Sequence, residues 1–161
     1  TPRAELLRRG LRRSGWFHPS QYIFDEQARE AAKIVAAGGR VGLGGHGQLQ
    51  GLGVHWELWN IASGGMPNHE VLKVGTVYGA EAIGLARELG TLEAGKLADL
   101  QVLDANPLQD IRNTTSIRFV MKNGRMYDAS SLAEVWPRKR EIARPWWWNS
   151  GEMQVKAAGN P

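Results

Sequence analysis

The chain has 161 residues, 42% hydrophobic and 22% charged, with a formal net charge of +4 and no cysteine. That balance suits a folded globular chain of one domain or two small ones rather than a disordered one, and no apolar run approaches the roughly 20 residues that a membrane-spanning helix needs. The lack of cysteine excludes disulfides, thiolate-bound zinc and thiol nucleophiles.

The first stretch, residues 1–24, is expected to be irregular or weakly helical. It begins TPRAELLRRGLRRSG, with charge but no apolar stretch of the kind a secretory signal carries. It also lacks an initiator Met, which reads as a fragment or processed piece and leaves the compartment open. Arg3, Arg8, Arg9, Arg12 and Arg13 crowd this end, and Arg138, Lys139, Arg140 and Arg144 the other. Such clusters can meet phosphate backbones or form a solvated face. No nucleic-acid-binding motif accompanies them, so no nucleic-acid partner is expected. His18 precedes Pro19, which favours an extended or turn conformation and a structural role for the histidine.

Residues 25–37, DEQAREAAKIVAA, predict the clearest helix, with Asp25 as its cap and Gly38–Gly39 as its end. Ala28, Ala31, Ala32 and Val35 form a small-residue stripe at helical spacing. The chain then enters RVGLGGHGQLQGLGVHWELW, residues 40–59. Val41 to Leu43 reads as a buried strand, the glycines around His46 as a turn, and His55 to Trp59 as the opening of a helix over 54–63. A strand, a glycine-lined loop with a polar side chain at its mouth and a helix make a βα unit. In α/β folds ligands bind at the carboxyl ends of such strands. Glu57 either orients this loop or faces solvent, and His55 and Glu57, two apart, should point away from each other.

Further on, Pro67 suits the first turn of a helix, and Thr76 can cap another that ends at Gly84. His69, in a first turn, is expected to be exposed. After residue 90 the periodicity changes. Leu97 to Leu103 predicts a strand, with Ala98, Leu100 and Val102 on its apolar face. Asp99 is expected to anchor a turn or pair with a Lys or Arg. Ile117 to Met121 and Arg125 to Tyr127 predict two more strands, joined at Asn123–Gly124, a strong type I′ hairpin signal. The segment SLAEVWPRKREIA predicts a short helix. Trp146, Trp147 and Trp148 would be a sticky patch if exposed together, so at least two are expected to dock on the body or on a partner.

The pieces VGLGGHG, HWELWNIASGGM, EVLKVGTVYGAEAIGL, LGTLEAGKLADLQVLDANPLQDI and IRFVMKNGRMYD, in that order, resemble the C-terminal end of the metal-dependent amidohydrolases, in particular the imidazolonepropionase- and prolidase-like branch, including a bacterial subgroup. The resemblance implies an α/β fold: the C-terminal fragment of a (β/α)8 barrel, about strand 8 with its flanking helices, plus a small β-sandwich. The expected division is barrel over 1–87, sandwich strands over 88–128 and an extension over 129–161. It implies Zn²⁺ or a similar divalent metal in the intact enzyme, with most ligands on earlier strands and none necessarily in this chain. Where the family's strand-8 loop carries Asp, this sequence carries His46. Imidazole can act as a base near pH 7 or ligate a metal. His46 is therefore the candidate catalytic residue, with a metal role possible and a simple loop histidine as the alternative. Gly45, Gln48 and His55 are the candidate substrate-binding residues. The expected reaction is hydrolysis of an amide, cyclic amide or peptide-type C–N bond in a small substrate, inactive in this chain alone. The expected partners are the remainder of the barrel or a second chain, with homo-oligomerisation. The alternative is a non-catalytic interaction module that uses the basic ends and Trp146–Trp148.

Overall fold

The computed structural model describes residues 18–46 and 51–143. The arginines of residues 3–13, Gln48 and Trp146–Trp148 lie outside the described residues.

Helix α1 spans Phe24–Ala36. Its cap position is Ile23, without a side-chain bond, so Asp25 is not the cap that the sequence suggests. Asp25 sits inside the first turn, where a carboxylate meets the positive helix end, and accepts a hydrogen bond from Ser63 Oγ at 3.3 Å. The alanine stripe is the packed face: Ala28 is buried, and Ala32 and Val35 rest on the core. Small side chains bring α1 close to α2, Leu52–Ser63. A Cβ on Gly64, just past α2, would lie 2.2 Å from the carbonyl carbon of Ala28. Glycine is needed there for space, since its φ of −75° suits any residue.

The strand expected at Val41–Leu43 is not formed. Residues 40–45 are irregular backbone, and no strand of the described residues pairs with them. A strand exists through its hydrogen-bonded neighbour, and apolar pattern alone supplies none. Val41 and Leu43 nevertheless pack against the core, which is built from Leu58, Ile61, Met66, Val71, Val74, Tyr78 and Ile111. Two short helices complete this half: α3, Asn68–Val74, and α4, Val77–Ala82. Pro67 takes the cap position of α3. Thr76 caps α4 in position only, because its hydroxyl donates to Leu72 O at 2.8 Å. Gly84 follows α4 with a φ of +76°, a conformation glycine adopts without penalty.

The second half is a four-stranded antiparallel sheet in the order β1 (Leu100–Leu103), β2 (Ile117–Lys122), β3 (Arg125–Asp128) and β4 (Glu134–Trp136). The β2–β3 hairpin turns at Asn123 and Gly124, with φ of +48° and +74°, the pair of positive values that a type I′ turn demands. Strand β1 starts at Leu100 rather than Leu97. Just before it, the Asp99 carboxylate pairs with Lys122 and accepts the Asn123 N–H at 2.6 Å, tying the strand's start to the hairpin as anticipated. The expected apolar face is not kept: Val102 is 38% exposed and Leu103 half-buried, and the register shifts between the two. The helix expected in SLAEVWPRKREIA is instead β4, followed by a bridge between Glu134 and Arg140. Pro137 lacks the N–H that a helix interior requires and biases the residue before it to extended backbone. Val135 and Trp136 suit a pleated strand.

The halves join at a 3₁₀ turn, Ile111–Thr115, which packs against α2. Asp110 caps this turn, accepting the Arg112 N–H at 2.9 Å.

Candidate functional site

Helix α2 organises the candidate site because its faces are used differently. Leu58 and Ile61 are buried in the core. His55 and Trp59, one turn apart, face the 3₁₀ turn. Trp59 Nε1 donates to Ile111 O at 3.2 Å and to Thr114 Oγ1 at 3.3 Å, and His55 Nδ1 lies 3.1 Å from the same hydroxyl. The hydroxyl proton of Thr114 is itself donated to Ile111 O at 2.9 Å. The Thr114 hydroxyl is thus shared by the two rings and the Ile111 carbonyl, joining α2 to the turn. Burial lowers the His55 pKa below its ordinary value of 6.5, favouring the neutral form.

Glu57 points the other way, as its spacing from His55 predicts. Its Oε2 accepts the N–H of Gly44 at 2.8 Å. The alternative left open by the sequence, orienting the loop or facing solvent, resolves to a bond with the loop. A charge-assisted bond of this kind is about twice as strong as a neutral one.

One residue of the loop has an uncommon conformation. His46 has a φ of +48° and is exposed. Histidine is among the few non-glycine residues enriched in this left-handed region, and strained residues gather at functional sites. The His46 ring folds back over Gly44: a Cβ on Gly44 would lie 3.9 Å from both Cδ2 and Nε2 of the imidazole. Gly45 is half-buried, and a Cβ there would lie 3.6 Å from Val54 Cγ2, at the start of α2. Gly44, Gly45 and His46 are thus gathered over the first turns of α2. His55 is directed to Thr114 on another face of the same helix, and Gln48 lies outside the described residues.

No group of three or more His, Asp or Glu side chains among the described residues could hold a metal ion. These residues therefore do not form a metal cradle by themselves. An open groove between α1 and the α2–α3 connection, lined by Arg29, Lys33, Met66 and Glu70, contains none of the candidate residues.

A second polar cluster braces the segment before the loop. The Arg40 guanidinium sits 4.5 Å over the Tyr78 ring, and its Nε donates to Glu81 at 2.6 Å. Tyr78 OH and Lys73 Nζ both donate to Glu70 at 2.8 Å, which holds the Glu70 carboxyl below its usual range. Sequence reasoning does not single out Arg40, Trp59 or Thr114. The spacing of His55 and Trp59 at one helical turn is the available signal for their shared face.

Residues 5–127 match the profile of the Amidohydrolase family. The chain is similar to 5′-deoxyadenosine deaminase of Methanobrevibacter smithii, 38% identical over 40% of this chain and 16% of that protein. It is also similar to imidazolonepropionase of Shouchella clausii, 39% identical over 38% of this chain and 14% of that protein. Among solved structures, it resembles a Xaa-Pro dipeptidase with bound methionine: 27% identity and a TM-score of 0.56, covering 63% of this chain and 25% of that one. The chain thus spans a small part of the length of the relatives it matches, and with more than half of its residues matched to the profile, it belongs to the Amidohydrolase family.

Proposed function

We propose that this chain is the C-terminal part of a metal-dependent hydrolase that cleaves a non-ester C–N bond in a small amide, cyclic amide or peptide-type substrate. In this reading residues 40–43 are strand 8 and 44–53 its loop, α1 to α4 are barrel helices, and the sheet from about residue 88 is one layer of a sandwich that continues through β4. The observation that carries the reading is the loop itself: the backbone before it lies on the core, Glu57 pins Gly44, and the turn presents an exposed His46 in a left-handed conformation.

The family generally uses divalent metals, and the ion would be held by residues elsewhere in the intact protein. His46 would serve beside the reacting group, where a neutral imidazole accepts a proton and an imidazolium returns one. Gly45 and Gln48 would line the substrate pocket, while His55, which the sequence also offers for substrate binding, faces Thr114 on another side of α2 and would act only through the helix. Irregular residues 40–43 would gain their ladder from neighbouring strands of the barrel. Exposed apolar side chains such as Ile83, 67% exposed, and Leu92, 81% exposed, would be covered by the remainder of the barrel or by a second copy of the chain.

The test is an assay of the 161-residue chain beside the same chain joined to a preceding barrel. Methionyl-proline, a hydantoin and an N-acyl amino acid sample the peptide, cyclic amide and amide classes. The expected result is no turnover and no stoichiometric zinc in the chain alone, with hydrolysis of at least one compound by the joined protein. Stoichiometric zinc and turnover in the chain alone would contradict the reading.

A further inference from the structure

The Glu57–Gly44 bond does more than close a loop, because of what lies on the other side of Gly44. Its N–H is given to Glu57 at 2.8 Å, and its Cα faces the His46 ring, with a Cβ position 3.9 Å from Nε2. One residue thus joins a carboxylate on α2 to the imidazole. Between Gly44 and His46 stands only Gly45, which lies against Val54 on the same helix. Two consecutive glycines leave the backbone many conformations, and a left-handed His46 is one of the less stable ones. A bond from outside the loop narrows that choice. The carboxylate of Glu57 is the only side chain hydrogen-bonded to residues 44–46 among the described residues.

We propose that Glu57 is a positioning residue: by accepting the Gly44 N–H it fixes the left-handed turn and so sets the direction of the His46 imidazole. This rests on the reading of His46 as a site residue, but its geometry can be tested without a substrate. Three variants separate the possibilities. Glu57→Gln keeps the length and an amide oxygen that can accept the same N–H. Glu57→Asp keeps the charge but draws the oxygens back by one methylene. Glu57→Ala removes the group.

The experiment is NMR on the full 161-residue chain, reading Gly44 amide exchange and the His46 ring resonances. The charge-assisted bond predicts exchange about 10-fold faster or more at Gly44 in Glu57→Asp and Glu57→Ala, with displaced His46 ring resonances. Glu57→Gln should restore both toward the parent. The Val120 amide in the central sheet should stay unchanged in every variant, and Glu57→Asp keeps the test informative if Glu57→Ala fails to fold. Unchanged Gly44 exchange in Glu57→Asp would overturn the bond. Faster exchange with an unmoved His46 ring would overturn the positioning role. A His46 that is well positioned but without effect on turnover would instead sink the proposed function and leave this inference standing.

Discussion

The helical half and the sheet half of this chain are held by different kinds of interaction. At the sheet's central hairpin, the determinants are close in sequence: Asn123 and Gly124 supply both positive φ values, and Lys122 faces Arg125 directly across it. In the helical half, the decisive contacts join distant residues. Gly64 meets Ala28, Trp59 meets Ile111, Arg40 meets Tyr78, and Glu57 meets Gly44. Local turn chemistry is therefore enough to specify the sheet's central hairpin, whereas the candidate site depends on how helices pack.

The largest stability effect should come from breaking the tightest of those distant contacts. Gly64→Val would place its Cβ inside the carbonyl group of Ala28, so α1 must move off α2. Overpacking of this kind costs about 1–3 kcal/mol and occasionally more. In a thermal melt Gly64→Val should unfold at a lower temperature than Gly124→Val or Asp99→Asn. A melt like the parent's would mean that α1 does not lie so close.

A smaller loss is expected from Gly124→Val, because a side chain held in the left-handed region costs about 1–2 kcal/mol. The damage should stay in the sheet. Hydrogen exchange should quicken at Val120 and Tyr127, which pair across the hairpin, and remain as it was at Val71 and Val74 in the helical core. Equal quickening in both halves would show that they unfold as one unit, with no separate stability for the sheet.

Acidity offers a gentler way to separate the halves. His55 has a lowered pKa through burial, so the unfolded chain takes up a proton more readily than the folded one. Its contribution to stability is therefore full above 6.5 and is lost as the pH falls through the folded-state value. In the sheet, the bond from Lys122 and then the Asn123 N–H lower Asp99, and the Ser130 hydroxyl, followed by bonds from Ser131, lowers Asp128 to about 2. Their contributions are present above the ordinary 3.8 and are lost only as the pH falls below it. Circular dichroism against pH should show the α2–turn contact weakening first, with His55→Gln removing that early step. The smallest effect should be that of Asp99→Asn, which leaves the early step intact and alters only the acid limb.

What can be read from the sequence follows the same division. The hairpin and the alanine stripe of α1 each rest on near neighbours or a simple period, and each is present; Asp99 reads as an anchor by its residue type, although its partners Lys122 and Asn123 lie 23 and 24 residues away. The strand expected at Val41–Leu43 fails because three apolar or small residues state a preference for burial, while a strand also needs a ladder partner. The helix expected around Glu134–Trp136 fails because a polar, charge-rich pattern carries less weight than Pro137, the residue that rules a helix out. At the site, His46 stands out as the polar residue in a glycine-rich loop. The partner of Glu57 does not, since the Gly44 N–H lies 13 residues away and is reached only once α2 folds back over the loop.

The central claim is that His46, and not His55, belongs to the chemistry. The direct measurement is kcat and thermal stability of His46→Ala and His55→Ala in the intact protein, on whichever of the three assay compounds it hydrolyses. Removing a proton-transfer group typically lowers the rate by about 10²–10⁴-fold. His46→Ala should lose kcat by that order with its melting temperature nearly unchanged, because the ring is exposed. His55→Ala should do the reverse, since it removes the His55–Thr114 hydrogen bond that ties α2 to the turn. Small and equal effects of both substitutions on kcat would place the chemistry elsewhere and reduce residues 40–46 to a structural connection.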